Sequence, residues 1–136
     1  MREGRAATSK DPGRALLLAW LLPGAGHWYV ARRARAAVYG FAVVGVFVAG
    51  LAMGGLATVS VAGHKWAFLL QVFDGPMVLA AAVASHLEHA RPEPCRLADL
   101  GLTFTLVSAA FNVLVMTDAY YLADQPLEEE LGEEAP

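Results

Sequence analysis

Charged residues are scarce in this chain of 136 residues and make up 17% of it. Soluble domains average about 25%. From Ala36 to Ala62 the chain has no charged side chain over 27 residues, and a helix needs only about 20 residues to cross a bilayer. A soluble core helix can be equally apolar, but a chain of this length cannot bury one so long. The scarcity of charge therefore argues against a soluble domain and predicts an integral membrane protein.

Cysteine is nearly absent. Cys95 is the only one, which excludes an intrachain disulfide and a paired-cysteine metal site. His86, Glu88 and His89 precede it and offer an alternative zinc-binding group. Zinc needs four ligands, however, and Glu88 would not share a helical face with the two histidines. The solvated end of a helix is the favoured interpretation, so we predict no metal ion and no cofactor.

Motifs for catalysis or for nucleic-acid binding are also missing. The sequence has no Gly-x-Ser-x-Gly elbow, no phosphate-binding loop and no HExxH motif, so we do not expect an enzyme. Aromatic and basic residues are not interleaved as they are in proteins on which bases stack. We therefore expect no nucleic acid as a partner.

Four apolar segments, joined by short polar links, are what the chain does contain. They are segment A (Ala15–Val30), segment B (Ala36–Ala62), segment C (Trp66–Leu87) and segment D (Ala98–Ala123). Outside them, residues 1–14 are basic and residues 124–136 are acidic, and both have the composition of flexible ends. The predicted organisation is a basic N-terminus (1–14), an all-α membrane helical bundle (15–123) and an acidic C-terminal tail (124–136).

Segment A is too short to cross a bilayer, because Pro23 and Gly24 interrupt it after eight apolar residues, or about 12 Å of helix. If A enters the membrane and returns, nine of the ten Lys and Arg residues share one side and Lys65 alone lies on the other; if A crosses, they divide five and five. The positive-inside rule favours nine against one. We therefore predict three spanning helices after a re-entrant or interfacial segment, with four spans as the alternative.

This arrangement gives the protein a location and an orientation. We predict a bacterial inner membrane, with the N-terminus in the cytoplasm and the acidic tail on the opposite side. Basic residues beside apolar segments are attracted to anionic headgroups, so membrane lipid is an expected partner.

The turn after segment A combines glycine with aromatic rings. Its residues are Pro23, Gly24, Gly26, His27, Trp28 and Tyr29. Such rings collect at membrane interfaces, and irregular backbone at membrane depth must pack against protein. The string PGAGHWYVARRARAAVYGF (23–41) resembles the junction of the two-transmembrane-domain family and its uncharacterised bacterial relatives, and the stretch Asn112 to Tyr120 is similar to their Asn…Asp-Ala-Tyr ending. The resemblance implies a small helical membrane module of unknown function, without enzymatic activity.

Segments C and D carry polar side chains at a depth where lipid makes them costly. Asp74 lies about 12 Å along a helix from Trp66, and Gln71 precedes Asp74 by one turn. Segment D has three polar residues at helical spacing on one face. The predicted polar cluster is Gln71, Asp74, Thr105, Ser108 and Asn112. It either joins the helices by hydrogen bonds or binds a proton, an ion or a small polar ligand.

Small residues recur at four-residue spacing in segment B and predict close helix packing. The pairs are Gly45 with Ala49 and Gly50 with Gly54, and the second pair could also serve dimerisation. Near the end of segment D, a polar and aromatic group suits the outer membrane interface. Its members are Asp118, Tyr120 and Tyr121.

These features favour a small polytopic membrane protein that acts as a structural or accessory module, in a membrane complex or as a homo-oligomer. The alternative is a minimal proton, ion or small-solute transport element that uses Asp74, Gln71 and Asn112. An enzyme acting on lipid is a third possibility. Its only candidate groups, His27 and Asp118, are expected on opposite membrane faces, which counts against it.

Overall fold

The computed structural model describes residues 10–63, 65–89 and 96–124, and these residues are helical apart from short turns. The helices are α1 (Pro12–Leu21), α2 (Ala25–Tyr29), α3 (Arg33–Gly54), α4 (Lys65–Gln71), α5 (Pro76–Leu87) and α6 (Arg96–Asp124), with 3₁₀ turns at Leu56–Val59 and Val72–Asp74. Two stretches, Arg33–Gly54 and Leu97–Asp124, are long and apolar enough to cross a membrane. The all-α prediction is confirmed for the described residues, and two helices rather than three have the length of a span.

Helices α3 and α6 are antiparallel and form the frame of the fold. They cross where Gly50 and Gly54 meet Gly101, and a Cβ atom on Gly101 would lie 2.6 Å from the Cα of Gly54. Two turns further along α6, the Ser108 hydroxyl donates to the carbonyl of Val43 on α3 at 2.9 Å. We refer below to the basic end of this pair, marked by Arg33 and Asp124, and to the far end, marked by Gly54 and Arg96.

Helices α1 and α2 form a hairpin that enters from the basic end and returns to it. Alanines on one face of α1 pack against the last turns of α6, in a core of Ala15, Ala19, Val30, Ala119 and Ala123. The chain reverses at Gly24, which has a φ of 89°, a left-handed conformation that favours glycine. The side chain of Lys10, just before α1, donates to the carbonyl of Tyr29, at the end of α2. Segment A therefore begins and ends at the basic end of the helix pair.

Segment C forms a second hairpin and does not run from one end to the other. Lys65, which begins α4, and Leu87, which ends α5, line one cavity of about 530 Å³, whereas a straight helix would place them about 33 Å apart. The reversal occurs at Gly75, whose φ is 75° and ψ is −149°, and Pro76 then begins α5. The third predicted span is not confirmed, because this left-handed glycine turns the chain back to the far end.

The second hairpin also changes the predicted location of the chain ends. Ala123 packs with Ala15, so α6 ends beside the start of α1, and Asp124 lies at the basic end. The acidic tail was predicted opposite the N-terminus, whereas Asp124 lies at the same end of the helix pair as the start of α1. Residues 125–136 and 1–9 lie outside the described residues. Arg96 is one of the nine basic residues predicted to share one side, but it begins α6 at the far end, where Glu88 also lies.

The tips of the two hairpins meet beside α6. Trp20, near the end of α1, donates its indole N–H to the carbonyl of Val72 at 3.1 Å. The Trp20 carbonyl lies so close to Gly75 that a Cβ atom there would be 1.9 Å from it. Two interruptions that are more than 50 residues apart in the sequence thus form one junction in the middle of the fold.

Candidate functional site

The five residues of the predicted polar cluster lie together at this junction, and all are fully buried. Gln71, at the end of α4, donates its amide N–H groups to the carbonyl of Thr58 at 3.1 Å and to the hydroxyl of Thr105 at 2.7 Å. Both amide hydrogens are used, so the orientation of this side chain is fixed. Gln71 thereby links α4 both to α6 and to the 3₁₀ turn that follows α3.

Asp74 is bound to α6 through Ser108. The Ser108 hydroxyl lies 3.0 Å from Asp74 Oδ1 and 2.9 Å from the carbonyl oxygen of Val43. A hydroxyl has one proton, so it cannot satisfy both acceptors fully. A proton on Asp74 would remove the conflict, because Asp74 could then donate to Ser108 while Ser108 donates to Val43.

Asn112 holds the backbone of the second hairpin against α6, since its amide donates to the Phe73 carbonyl at 2.7 Å. After these bonds are counted, three buried oxygens have no donor among the described residues. They are Gln71 Oε1, Asp74 Oδ2 and Asn112 Oδ1. An unsatisfied buried polar atom costs about 1–3 kcal/mol. These three oxygens can each accept a hydrogen bond or coordinate a positive charge, so the site is suited to a proton, a water molecule or a cation.

A second polar group lies at the basic end and joins the first hairpin to α6. His27 Nε2 is 2.9 Å from Asp118 Oδ2, and the His27 side chain is fully buried while that of Asp118 is 41% exposed. Arg35 reaches the same carboxylate oxygen at 4.0 Å, and the Tyr39 ring meets the imidazole edge-on at 4.8 Å. The prediction that His27 and Asp118 lie on opposite faces is wrong, because α6 ends where the first hairpin begins.

Some of the other residues of the predicted turn are buried against neighbouring helices, and Trp28 is exposed to the surroundings. Pro23 and Gly24 are buried, and a Cβ atom on Gly24 would lie 2.3 Å from the carbonyl oxygen of Ala36 on α3. Gly26 is buried against α1 and α6. Trp28 is 61% exposed. The carbonyl of Tyr29 accepts from Lys10.

The two small-residue pairs of α3 have different surroundings. Gly50 and Gly54 pack against α6 within the chain, so α6 occupies the face that the alternative of dimerisation would use. Gly45 has no atom within 4 Å of a Cβ position, and Ala49 is half-buried. At the end of α6, Tyr120 and Tyr121 are exposed and stack edge-to-face, with ring centroids 5.9 Å apart.

Within the described ranges, no group of three or more His, Cys, Asp or Glu side chains could hold a metal ion. His86, Glu88 and His89 are exposed at the end of α5, and Cys95 lies outside the described residues.

Trp20 and Thr58 are among the participants that sequence analysis missed. Trp20 is a solitary indole N–H donor in an apolar segment, and buried indoles usually have an acceptor, which is the signal that could have singled it out. Thr58 contributes its backbone carbonyl, which no side-chain pattern marks.

No curated protein and no solved structure matches the chain. Residues 14–131 match a family of unknown function, DUF6677. The matched range includes the second hairpin, both long helices and every residue of the two polar groups described above, and it lacks only Pro12 and Gly13 of the first hairpin. The chain therefore belongs to DUF6677, in agreement with the predicted membership of a family of unknown function.

Proposed function

We propose that the protein is a small integral membrane protein that acts as a structural or accessory module, associated with other membrane proteins or with copies of itself. The distribution of side chains carries this proposal. Polar groups of the hairpins are bound inside the fold, while large apolar side chains on the long helices are exposed, among them Val38 at 65%, Phe41 at 81% and Leu114 at 65%. Such a surface suits lipid or other transmembrane helices.

In this proposal α3 and α6 cross the membrane and the two hairpins enter it from opposite faces. Irregular backbone at membrane depth must be buried in protein, and the junction of Trp20, Val72 and Gly75 meets this requirement. Five described basic residues (Lys10, Arg14, Arg32, Arg33 and Arg35) lie at the basic end, against Lys65 and Arg96 at the far end. The positive-inside rule then orients the basic end toward the cytoplasm.

Cysteine labelling tests this topology. In a Cys95→Ser background, we expect Lys10→Cys and Asp124→Cys to react with a membrane-impermeant maleimide from the same side, and Lys65→Cys to react only from the other. All three positions are exposed. Labelling of Asp124→Cys from the side of Lys65→Cys would contradict the two-span arrangement and restore an odd number of crossings.

Association is proposed to use the exposed face of α3 that includes Gly45. Ala42, Gly45 and Ala52 are exposed and Ala49 is half-buried, and these positions recur at the three- and four-residue spacing of one helical face. Without bulky side chains, a second helix can approach the backbone closely. The same spacing at Gly50 and Gly54 produces such an approach within the chain, where α6 is the partner.

Gly45→Leu tests the proposal, with Ala110→Leu as the matched control, because Ala110 is exposed on α6. We expect cross-linking in native membranes to yield a homo-oligomer or one reproducible hetero-complex, to be lost in Gly45→Leu and to be retained in Ala110→Leu. A chain that is monomeric and without a partner in those membranes, or that loses its complex equally in both variants, would overturn the proposal.

A second candidate function, a proton or ion transport element, is favoured by the three unpartnered oxygens of Gln71, Asp74 and Asn112. Discontinuous helices that meet near the membrane midplane form ion sites in transporters, and an ionisable residue at that depth is commonly functional. In the proposed topology the junction has both features.

Asp74→Asn separates transport from a purely structural role. Asn can still accept from Ser108, so we expect the variant to fold, and we expect proton or sodium flux into vesicles reconstituted with it to fall to the level of protein-free vesicles. Asp99→Asn is the control, since Asp99 is exposed in the first turn of α6. Absence of flux with the unmodified protein, or equal flux with Asp74→Asn, would refute transport and leave the cluster as a set of interhelical hydrogen bonds.

A further inference from the structure

An apolar groove of about 450 Å³ lies between the tip of the first hairpin and α3. Leu22, Pro23 and Ala25 form its hairpin wall, and Ala37, Gly40 and Val44 are among the residues of α3 that form the other. Ala36 and Val44, both in the lining, are about 12 Å apart along the helix. The groove thus runs from the basic end toward the depth of the hairpin tip and is open along its length.

The mouth of this groove is aromatic and basic. Trp28 lines it, and the guanidinium of Arg33 lies over the Trp28 ring, 5.5 Å from its centroid. Within the part of the chain that the structure describes, Arg33 forms no ion pair with a carboxylate, whereas Arg35 lies beside Asp118. Arg33 thus places a positive charge where the groove opens, with no carboxylate partner among the described residues.

The geometry points to a binding site for an anionic phospholipid, with one acyl chain in the groove and the phosphate group against Arg33. Lipid phosphate and an arginine guanidinium form paired, charge-assisted hydrogen bonds. Trp28 suits the level between headgroup and chain, where amphipathic rings collect. The headgroup would meet Arg33 at the basic end, and the acyl chain would meet the apolar lining deeper in the bundle. A lipid in the leaflet at the basic end has its headgroup and chain in the same order.

Two other occupants fit the groove less well. A crossing helix of a partner needs about 30 Å of apolar length, and the groove offers less than half of that along α3. A second copy in the same orientation would bring its own basic end beside Arg33, and like charges repel. The inference goes beyond the proposed association, because Gly45 is not among the residues that line the groove.

Native mass spectrometry of the purified full-length protein, titrated with phosphatidylglycerol or phosphatidylcholine of identical acyl chains, tests the site. We expect tighter binding of phosphatidylglycerol. Arg33→Gln should weaken that binding about fivefold, as expected for one basic residue at a membrane surface. It should weaken phosphatidylcholine less, because the choline ammonium of that lipid offsets the charge of its phosphate. Ala37→Phe should weaken both lipids, because Ala37 is exposed in the groove wall and the larger ring fills it.

Two matched variants serve as controls. Arg14→Gln removes an exposed charge at the same end without touching the groove, and Ala110→Phe adds an exposed ring on α6; both should bind lipid as the unmodified protein does. The site is overturned if the two lipids bind equally, or if Arg14→Gln weakens phosphatidylglycerol as much as Arg33→Gln. It is also overturned if Ala37→Phe changes the oligomeric state and not lipid binding, which would make a second copy the occupant. Loss of lipid binding with intact cross-linking leaves the proposed association standing.

Discussion

Gly75→Ala should leave no stably folded protein, whereas Gly55→Ala should fold with reduced stability. Both glycines have positive φ and extended ψ, with φ of 75° at Gly75 and 66° at Gly55, a region nearly restricted to glycine and costing about 1–3 kcal/mol for other residues. They differ in what surrounds them. A Cβ atom on Gly75 would lie 1.9 Å from the Trp20 carbonyl oxygen, and one on Gly55 would have no atom within 4 Å.

The difference between the two variants therefore measures the contact between the hairpin tips. The Trp20 carbonyl belongs to the backbone of α1 and cannot move alone, so the first hairpin would have to withdraw from the second. We expect Gly75→Ala to lower the free energy of unfolding by more than about 5 kcal/mol, the low end of the stability of ordinary domains. Unfolding by sodium dodecyl sulfate, followed through tryptophan fluorescence and size-exclusion chromatography, provides the measurement. Equal stability of the two variants would mean that the tips do not touch.

The same contact explains which parts of the fold could be predicted from sequence. Pro23 and Gly24 follow only eight apolar residues, so length alone shows that segment A cannot cross a bilayer. Segment C has 22 residues from Trp66 to Leu87, which is enough to cross a bilayer. Its length therefore does not predict that the chain reverses at Gly75. Proline and glycine can kink a spanning helix or end it. At Gly75 the outcome depends on φ and on Trp20, more than 50 residues earlier, and no local pattern contains that information.

The polar cluster could be predicted although the path of segment C could not. Gln71 and Asp74 reach their depth before the reversal at Gly75, so their position is the same whether α5 continues or returns. On the other side, Ser108 and Asn112 share a face of α6 that helical spacing fixes. By contrast, the pairing of His27 with Asp118 depends on the number of crossings between them, and one wrongly assigned span reverses the end at which α6 stops.

Gly101→Val should disrupt the frame of α3 and α6, whereas Gly45→Val should leave the free energy of unfolding of the chain within about 0.5 kcal/mol of its original value. A Cβ atom on Gly101 would lie 2.6 Å from three backbone atoms of Gly50 and Gly54, and one on Gly45 would meet nothing within 4 Å. Overpacking a core costs about 1–3 kcal/mol when side chains can adjust. Here the neighbours are backbone, so we expect at least the upper figure, about 3 kcal/mol.

The effect should be large because the crossing at Gly101 sets the distance between α3 and α6, and both hairpins pack against α6. If α3 and α6 separate at Gly101, Ser108 moves away from the Val43 carbonyl, and the hydrogen bond that closes the frame next to Asp74 is lost. Gly101→Val should therefore increase hydrogen exchange at the junction as well as at the crossing, while Gly45→Val should weaken only association between molecules. Stability losses of equal size in the two variants would show that both glycines face similar surroundings, and that α3 and α6 do not cross as described.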